Sequence, residues 1–503
     1  MPRPRSSPWP REPRAVFFDD VASRPTLSAA VGRGEIRRIA PGVFTSDLGA
    51  TLEEIVKTSR FRILAHLIPD ALIADRSAAS DGEVIEGRLF VASGQRVTNL
   101  ELPGLRVVVR PGTPIAEPIP DPPWSSGLRI TSPARTLVDN LAPSKGRSGR
   151  ARTLSLAELE EWVARKSLAW DAGRVERLRS EAELVADALG IADARPQLAR
   201  IFASVRNSGP VHRGATPLTR AVRAGSAWDV ERVEAFERLA TELNTQAPGG
   251  WGEPTYLHQA TDIRELGFWE AYFSNFIEGT EFTIEEAREI VNTQQVPSTR
   301  PADGHDILGT FACVVDPVGR AQSSDEPDRL TSMMMARHES ILGGRPDKRP
   351  GKLKDQNNRA GSYQFVDHEL VEGTLHQGLA LTKKVPEGFR RALFLMFVIT
   401  EIHPFADGNG RLARIMANAE LSARQQSRIV VPIVFRNEYL SGLRALSRHG
   451  QVDTYVRVMA QAWRWTAAMP WHDKASCEGK MEETHALLDS TDASDRGVQL
   501  TLP

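Results

Sequence analysis

At 503 residues the chain exceeds the size at which one hydrophobic core keeps growing, so two or three domains are expected. Its 41 % hydrophobic and 25 % charged residues read as soluble and globular, and 63 basic against 64 acidic residues leave no strong net field, which gives no support to obligate nucleic-acid binding. Cys313 and Cys477 are too few for a disulfide framework and lack metal-cluster spacing; the longest apolar run, Ala392 to Ile399, falls far short of the roughly 20 residues of a bilayer helix. MPRPRSSPWPREPR at the amino terminus has no apolar run behind it, which argues against a signal peptide, so a cytoplasmic protein with no membrane partner is expected.

Residues 1–15, rich in Arg, Pro and Ser, predict a disordered tail. Gly34 to Ile39 followed by Pro41-Gly42-Val43-Phe44 predicts a turn and a small strand. Between Phe61 and Ala79 the spacing of Ile63, Leu64, Leu67 and Ile68 predicts a helix interrupted at Pro69 and Asp70. Segments 87–93 and 105–110 read as strands and Pro111 to Gly127 as a loop; Ser132-Pro133 then supplies an N-cap and a proline at the first helical position. Residues 143–152 are basic and Gly/Ser-rich like a linker, 155–208 and 227–243 are helical in pattern, and Pro248 to Pro254 breaks that pattern. This divides the chain into a mixed α/β module over 16–145, a helical linker region over 146–250, an all-α domain over 251–470 and a polar tail over 471–503.

The chemistry concentrates after an apolar helix expected to open at Pro386-Glu387. His403 ends it and Pro404 favours its termination. Phe405 reads as the hydrophobic anchor of a loop. Gly408-Asn409-Gly410 can present successive N–H groups on a concave surface, and a new helix starting there adds its positive end, so both features suit a phosphate. Arg411 and Arg414, three apart, share one helix face and can hold polyphosphate oxygens; Asp407 can ligate Mg²⁺, and His403 can take a proton from a hydroxyl. Taken singly, a histidine, a Gly-Asn-Gly turn or a first-turn arginine is more often structural; their joint occurrence favours function.

The twelve residues 403–414 resemble the signature of the Fic family without departure, and the resemblance extends over about 265–460. It implies an all-α Fic fold and a protein adenylyltransferase, which moves AMP from ATP to a Ser, Thr or Tyr hydroxyl of a target protein. It implies His403 as base, Asp407 as Mg²⁺ ligand, Gly408, Asn409 and Gly410 as anion nest, Arg411 as phosphate clamp and Arg414 as contact to the terminal phosphates. The basic stretch Arg345 to Arg359, with Asn358-Arg359-Ala360-Gly361 and Phe365-Val366, resembles the family's flap, a short hairpin that receives the target as an added strand; Lys354 and Phe365 are assigned to target docking.

Upstream, Ile263 to Gly279 carries a wide apolar stripe, and Thr283 with Glu286 predicts a capping box for the next helix. A glutamate at position 278, in a last turn, opposes the helix dipole and is either exposed or met by a cation from elsewhere. Ser274-Asn275-Phe276-Ile277-Glu278-Gly279 resembles the Ser/Thr-x-x-x-Glu-Gly inhibitory helix, over 263–279 here, which implies that Glu278 pairs with Arg414 in place of the ATP γ-phosphate. The amino-terminal module resembles AbiEi-type antitoxins and regulators through Gly34 to Phe44, Leu67 to Ile73 and Ile130 to Leu137. This implies a winged helix within roughly residues 15–45 and contact with DNA; protein contact or dimerisation is the blander alternative. Transfer of another group, removal of AMP, and a DNA-binding regulator whose Fic domain senses nucleotide all stay open, as do monomer and homodimer.

Overall fold

The computed structural model describes residues 9, 16–95, 98–144, 151–191, 193–206, 214–245, 261–280, 282–361 and 363–503. The expected tail over 1–15 apart from Trp9, the centre of the 143–152 linker and the Pro248–Pro254 break lie outside these residues. The chain falls into two units, Met1–Ala224 and Gly225–Pro503.

In the first unit β1 (Val16–Phe18), α1 (Arg24–Gly32), β2 (Arg37–Ala40) and β3 (Val43–Thr45) make an antiparallel sheet of order β1-β3-β2 with one helix. Gly42 has φ 76°, the left-handed backbone that the tight β2–β3 turn requires. Among the described residues one helix, α1, precedes this hairpin. The capping box of Thr51 with Glu54 opens α2 (Leu52–Leu67), so that helix begins well before Phe61. There follow β4 (Leu72–Ile73), α3 (Asp75–Ala79), β5 (Arg88–Ser93), β6 (Leu100–Leu102), β7 (Leu105–Pro111) and β8 (Arg129–Ile130), a mixed sheet of order β6-β7-β5-β4-β8. Ile55, Val56, Ile63 and Leu64 of α2 pack in one core with Leu89, Val91 and Val107.

Ser132 caps α4 (Pro133–Asp139) by accepting the Arg135 N–H, with proline at the first position as expected. Then come α5 (Leu156–Ala169), α6 (Ala172–Ala188), α7 (Ala194–Val205) and α8 (Pro217–Ala224). Leu137 and Val138 of α4 share a core with Leu159, Val163, Leu178, Val185 and Leu198. The helices expected as a linker region over 146–250 are therefore divided: α5 to α8 bury their apolar faces with α4 in the first unit, and the boundary falls after Ala224.

The second unit comprises α9 (Val230–Thr245), α10 (Ile263–Ile277), α11 (Ile284–Thr293), α12 (Pro301–Val315), α13 (Pro327–Leu342), the hairpin β9 (Arg359–Ala360) and β10 (Tyr363–Gln364), α14 (Val371–Ala380), α15 (Phe389–Ile402), α16 (Asn409–Ala423), α17 (Arg436–His449), α18 (Val452–Ala468), α19 (Lys474–Glu483) and α20 (Ser490–Arg496). Apart from the hairpin it is all-α, as expected.

Helix α15 is its centre. Residues 392–399 are all buried, because α9, α14 and α16 surround the helix and leave no face for water. It starts at Phe389 rather than Pro386-Glu387, behind Gly388 at φ 79°, a conformation no helix continues. Phe236 of α9 meets Phe397 edge to face at 6.0 Å, which puts α9 in this unit.

The expected polar tail over 471–503 instead forms α19 and α20. Cys477 and Met481 of α19, Ala493 of α20 and Ala486 between them are buried, and Trp465 Nε1 donates to Thr484 Oγ1 at 3.2 Å. No helix among the described residues is long and apolar enough to cross a membrane.

Candidate active site

Helices α15 and α16 lie side by side, joined by the loop 403–408, and the functional side chains gather at that joint. His403 closes α15 in a left-handed conformation, φ 53° and ψ 60°, its N–H on Ile399 O. For a residue other than glycine this backbone is costly and tends to persist where surrounding contacts enforce it. Lys354 N–H donates to Pro404 O at 2.9 Å and Asn358 Nδ2 to Phe405 O at 2.9 Å, tying the loop down from the hairpin side.

The ring of His403 is set by two contacts. Nδ1 lies 3.1 Å from Thr400 O, and because a carbonyl can only accept, Nδ1 carries the proton and Nε2 the lone pair. Phe365 stacks on the imidazole at 3.7 Å and 10°. Burial pushes the imidazole down to about 4, and the Lys354 ammonium adds to the shift, so the ring is neutral near pH 7 and able to accept a proton.

Gly408 precedes α16 with φ 74°, and a Cβ there would meet Leu342 Cδ1 at 2.9 Å. No side chain caps α16, which leaves N–H groups of its first turn for an anion. Asn409 and Phe405 do not face the cleft. Asn409 exchanges hydrogen bonds with the Phe405 backbone at 2.9 Å each way, and the buried Phe405 ring stacks on His338 at 3.9 Å. Both side chains hold the loop in shape, Phe405 as its buried anchor and Asn409, expected in the anion nest, by pairing with the Phe405 backbone.

The two arginines diverge. Arg414 points to α10: its Nε donates to Ser274 Oγ at 2.9 Å, and its Nη2 donates to Ser274 O at 3.0 Å and to Glu278 Oε1 at 2.7 Å. Tyr439 OH accepts from Nη1 at 3.4 Å. Glu278, the C-cap of α10, thus finds a cation from elsewhere, and its carboxylate reaches the start of α16 so closely that a Cβ on Gly410 would run into Oε1.

Arg411 is 3 % exposed and commits Nη1 to Asp306 and, at 3.2 Å, to Asn275 Oδ1. It ties α16 to α12 and α10, and its Nη2 lies 3.6 Å from Asp407 Oδ1. Burial pushes the Asp306 carboxyl up, against the pull of Arg411 and Arg345.

Asp407 is half exposed. Oδ1 takes the Gly408 N–H at 2.6 Å, while Oδ2 lies 3.9 Å from Arg345 Nη1. Lys354 does not point at an incoming target: it is 5 % exposed, and Nζ donates to Asn358 Oδ1 at 2.7 Å and Ile402 O at 3.4 Å. Burial pushes its ammonium down to about 7. The hairpin itself is latched by Tyr363, whose hydroxyl meets Glu401, Ser447 at 2.6 Å and Arg232 at 2.7 Å.

Together Glu278, Phe365, His403, Gly410, Arg414 and Tyr439 line part of a cleft of ≈ 520 Å³. Sequence reasoning missed the supports Asp306 and His338 and the buried pair of Glu270 with Arg428 Nε at 2.6 Å that joins α10 to the stretch after α16, and it named Asn358 only within the flap motif. A lone polar residue inside an apolar helical stripe, as at Glu270 and Asp306, is the one local signal they offered.

Residues 329–421 match the model of the Fic/DOC family. Protein adenylyltransferase Fic of Nematostella vectensis is 24 % identical over 238 residues, 46 % of this chain and 55 % of the relative. Protein adenylyltransferase fic-1 of Caenorhabditis elegans is 22 % identical over 204 residues, 40 % of each. The chain spans 55 % or less of the length of these curated relatives. Among solved structures, Fic-1 (aa134–508) from C. elegans has 17 % identity and TM-score 0.35, over 65 % of this chain and 98 % of that one. A Fic family protein from Desulfovibrio desulfuricans G20 has 17 % identity and TM-score 0.35, over 53 % and 78 %. Residues 329–421 are thus similar to the Fic/DOC family, and the chain is related to proteins named as adenylyltransferases.

Proposed function

We propose that this chain transfers AMP from ATP to a Ser, Thr or Tyr hydroxyl of a target protein, and that Glu278 on Arg414 holds the reaction back. The observation that carries this reading is a carboxylate already seated on an anion site. Glu278 Oε1 lies 2.7 Å from Arg414 Nη2 at the uncapped start of α16, and His403 lines the same cleft with a neutral, tautomerically fixed ring. The carboxylate oxygens stand in for those of a phosphate, which the same donors would hold.

In this reading the terminal phosphates of ATP replace Glu278 on Arg414, and the α-phosphate lies at the N–H groups of Gly408 to Gly410. His403 Nε2 takes the proton of the target hydroxyl, whose oxygen attacks the α-phosphorus. The bond from that phosphorus to the bridging oxygen breaks and pyrophosphate leaves.

Asp407 fits a magnesium ligand, because Oδ2 keeps lone pairs free with which it would hold a hard cation beside the phosphate oxygens. Magnesium bound there would neutralise charge on the departing phosphates. The relatives named as adenylyltransferases support the same chemistry.

The test incubates full-length Glu278→Gly with ATP and an extract of the source cell and reads adducts by mass spectrometry. A gain of AMP on a hydroxyl side chain is expected. A gain of phosphate, or the absence of any adduct, refutes the reading.

A further inference from the structure

Resting on that reading, we infer that the target presents an acidic segment to the cleft, held by four arginines on its rim. The lining contains Arg359, Arg414, Arg436, Arg444 and Arg448 against two glutamates, Glu278 and Glu401. Both glutamates are engaged already, Glu278 by Arg414 and Glu401 by Arg232 at 2.5 Å and by the Tyr363 hydroxyl. Arg359, Arg436, Arg444 and Arg448 pair with no carboxylate among the described residues. The neutral imidazole of His403 adds no charge to theirs near pH 7.

Local structure does not account for this cluster. A cation in the last turn of α17 is favoured by the helix dipole, which covers Arg448, but Arg436 is the first residue of α17, where the dipole opposes it. Arg444 and Arg448 stand i,i+4 on one face and repel each other. Arg359 sits exposed on β9.

These charges form one edge. Arg448 Cζ lies 5.4 Å from the ring centroid of Tyr363, Tyr363 meets Phe365 edge to face at 5.6 Å, and Phe365 covers His403. The cationic edge therefore runs from α17 across the hairpin to the ring that shields the imidazole. Arg436 stands nearest the Arg414 corner, its Nε donating to Ile277 O at 3.2 Å beside Glu278, while Arg359, Arg444 and Arg448 carry the edge towards the hairpin. Carboxylates flanking the modified hydroxyl would compensate it, steering the target and fixing its register.

The experiment measures anisotropy of short fluorescent peptides, each with one central Thr flanked by Glu, by Ala or by Lys, on full-length Glu278→Gly. The Glu peptide is expected to bind about tenfold or more tighter than the Ala peptide, an advantage that shrinks as salt rises. The double variant R444E and R448E is expected to lose that preference while ATP affinity stays within about twofold. Equal affinity for the Glu and Ala peptides overturns the proposal. So does a fall in ATP affinity with the peptide preference intact, which would give the arginines to the nucleotide. AMP transfer is read in parallel: tight Glu-peptide binding without any transfer to protein or peptide rejects the transfer reading and leaves the acidic docking edge standing.

Discussion

Replacing Glu278 by Gly removes one carboxylate and leaves Arg414 on Ser274 Oγ, Ser274 O and Tyr439 OH. A hydrogen bond to a charged group contributes about 1.5–3 kcal/mol. The Glu278 side chain is 32 % exposed, so water screens part of that, and about 1–2 kcal/mol is the fair figure for what ATP must displace. At about 1.4 kcal/mol per factor of ten, ATP affinity should rise roughly 5- to 30-fold, with AMP transfer rising alongside it. Folding stability should barely move: the arginine keeps three partners, and loss of a glutamate from the C-cap of α10 relieves an unfavourable dipole contact of about 0.3–1 kcal/mol. Calorimetric ATP binding and transfer from ATP labelled in the α-phosphate, in the parent protein and the variant, measure the two effects. Glu278→Gln, which keeps the shape and drops the charge, should fall between them. Equal ATP affinity and equal transfer in the parent protein and Glu278→Gly would refute the restraint.

His403→Ala should lower transfer by about 10²- to 10⁴-fold with ATP affinity unchanged, and retained transfer would remove the imidazole from the reaction. Because the imidazole is held down to about 4, transfer by Glu278→Gly should be present above that pH and lost as pH falls through it, not through the ordinary 6.5. Phe365→Ala lets water reach the ring and should move this acid limb upward; a pH–rate profile with the limb unmoved speaks against shielding by the stack. The same depressed value makes stability fall as pH drops from about 6.5 toward about 4, where the unfolded chain takes the proton first. Glu270→Ala leaves Arg428, 1 % exposed, as a buried charge without its partner and should cost about 3–5 kcal/mol, seen as a lowered Tm; an unchanged Tm would show that water or a rearranged neighbour satisfies it.

Several features were legible from residues close together in the chain. The Ser132 cap and the Thr283–Glu286 capping box need only three-residue spacing, and the structure has both. The apolar run of α15 announced a helix buried on every side, and His403 to Arg414 read as a turn between two helices, which it is. Element ends were less legible where one residue's backbone overrode composition: Gly388 delays α15, and the Thr51 cap starts α2 early. The tail over 471–503 misled because its apolar side chains are few and widely spaced, and only burial of Cys477 and Met481 in the second unit reveals their use.

What the amino-acid sequence determined by itself was local: which segments turn, cap and coil, and that an imidazole, a glycine loop and two arginines stand within twelve residues. The inhibitory-helix resemblance implied the meeting of Arg414 with Glu278, but tertiary structure alone decided that Arg411, one turn earlier, is buried on Asp306, and that Lys354 is turned inward to the end of α15. The reason is physical. Backbone preference and side-chain spacing act over a few residues, whereas the partner and the protonation of a charge depend on which distant helices come to enclose it and how much water they exclude.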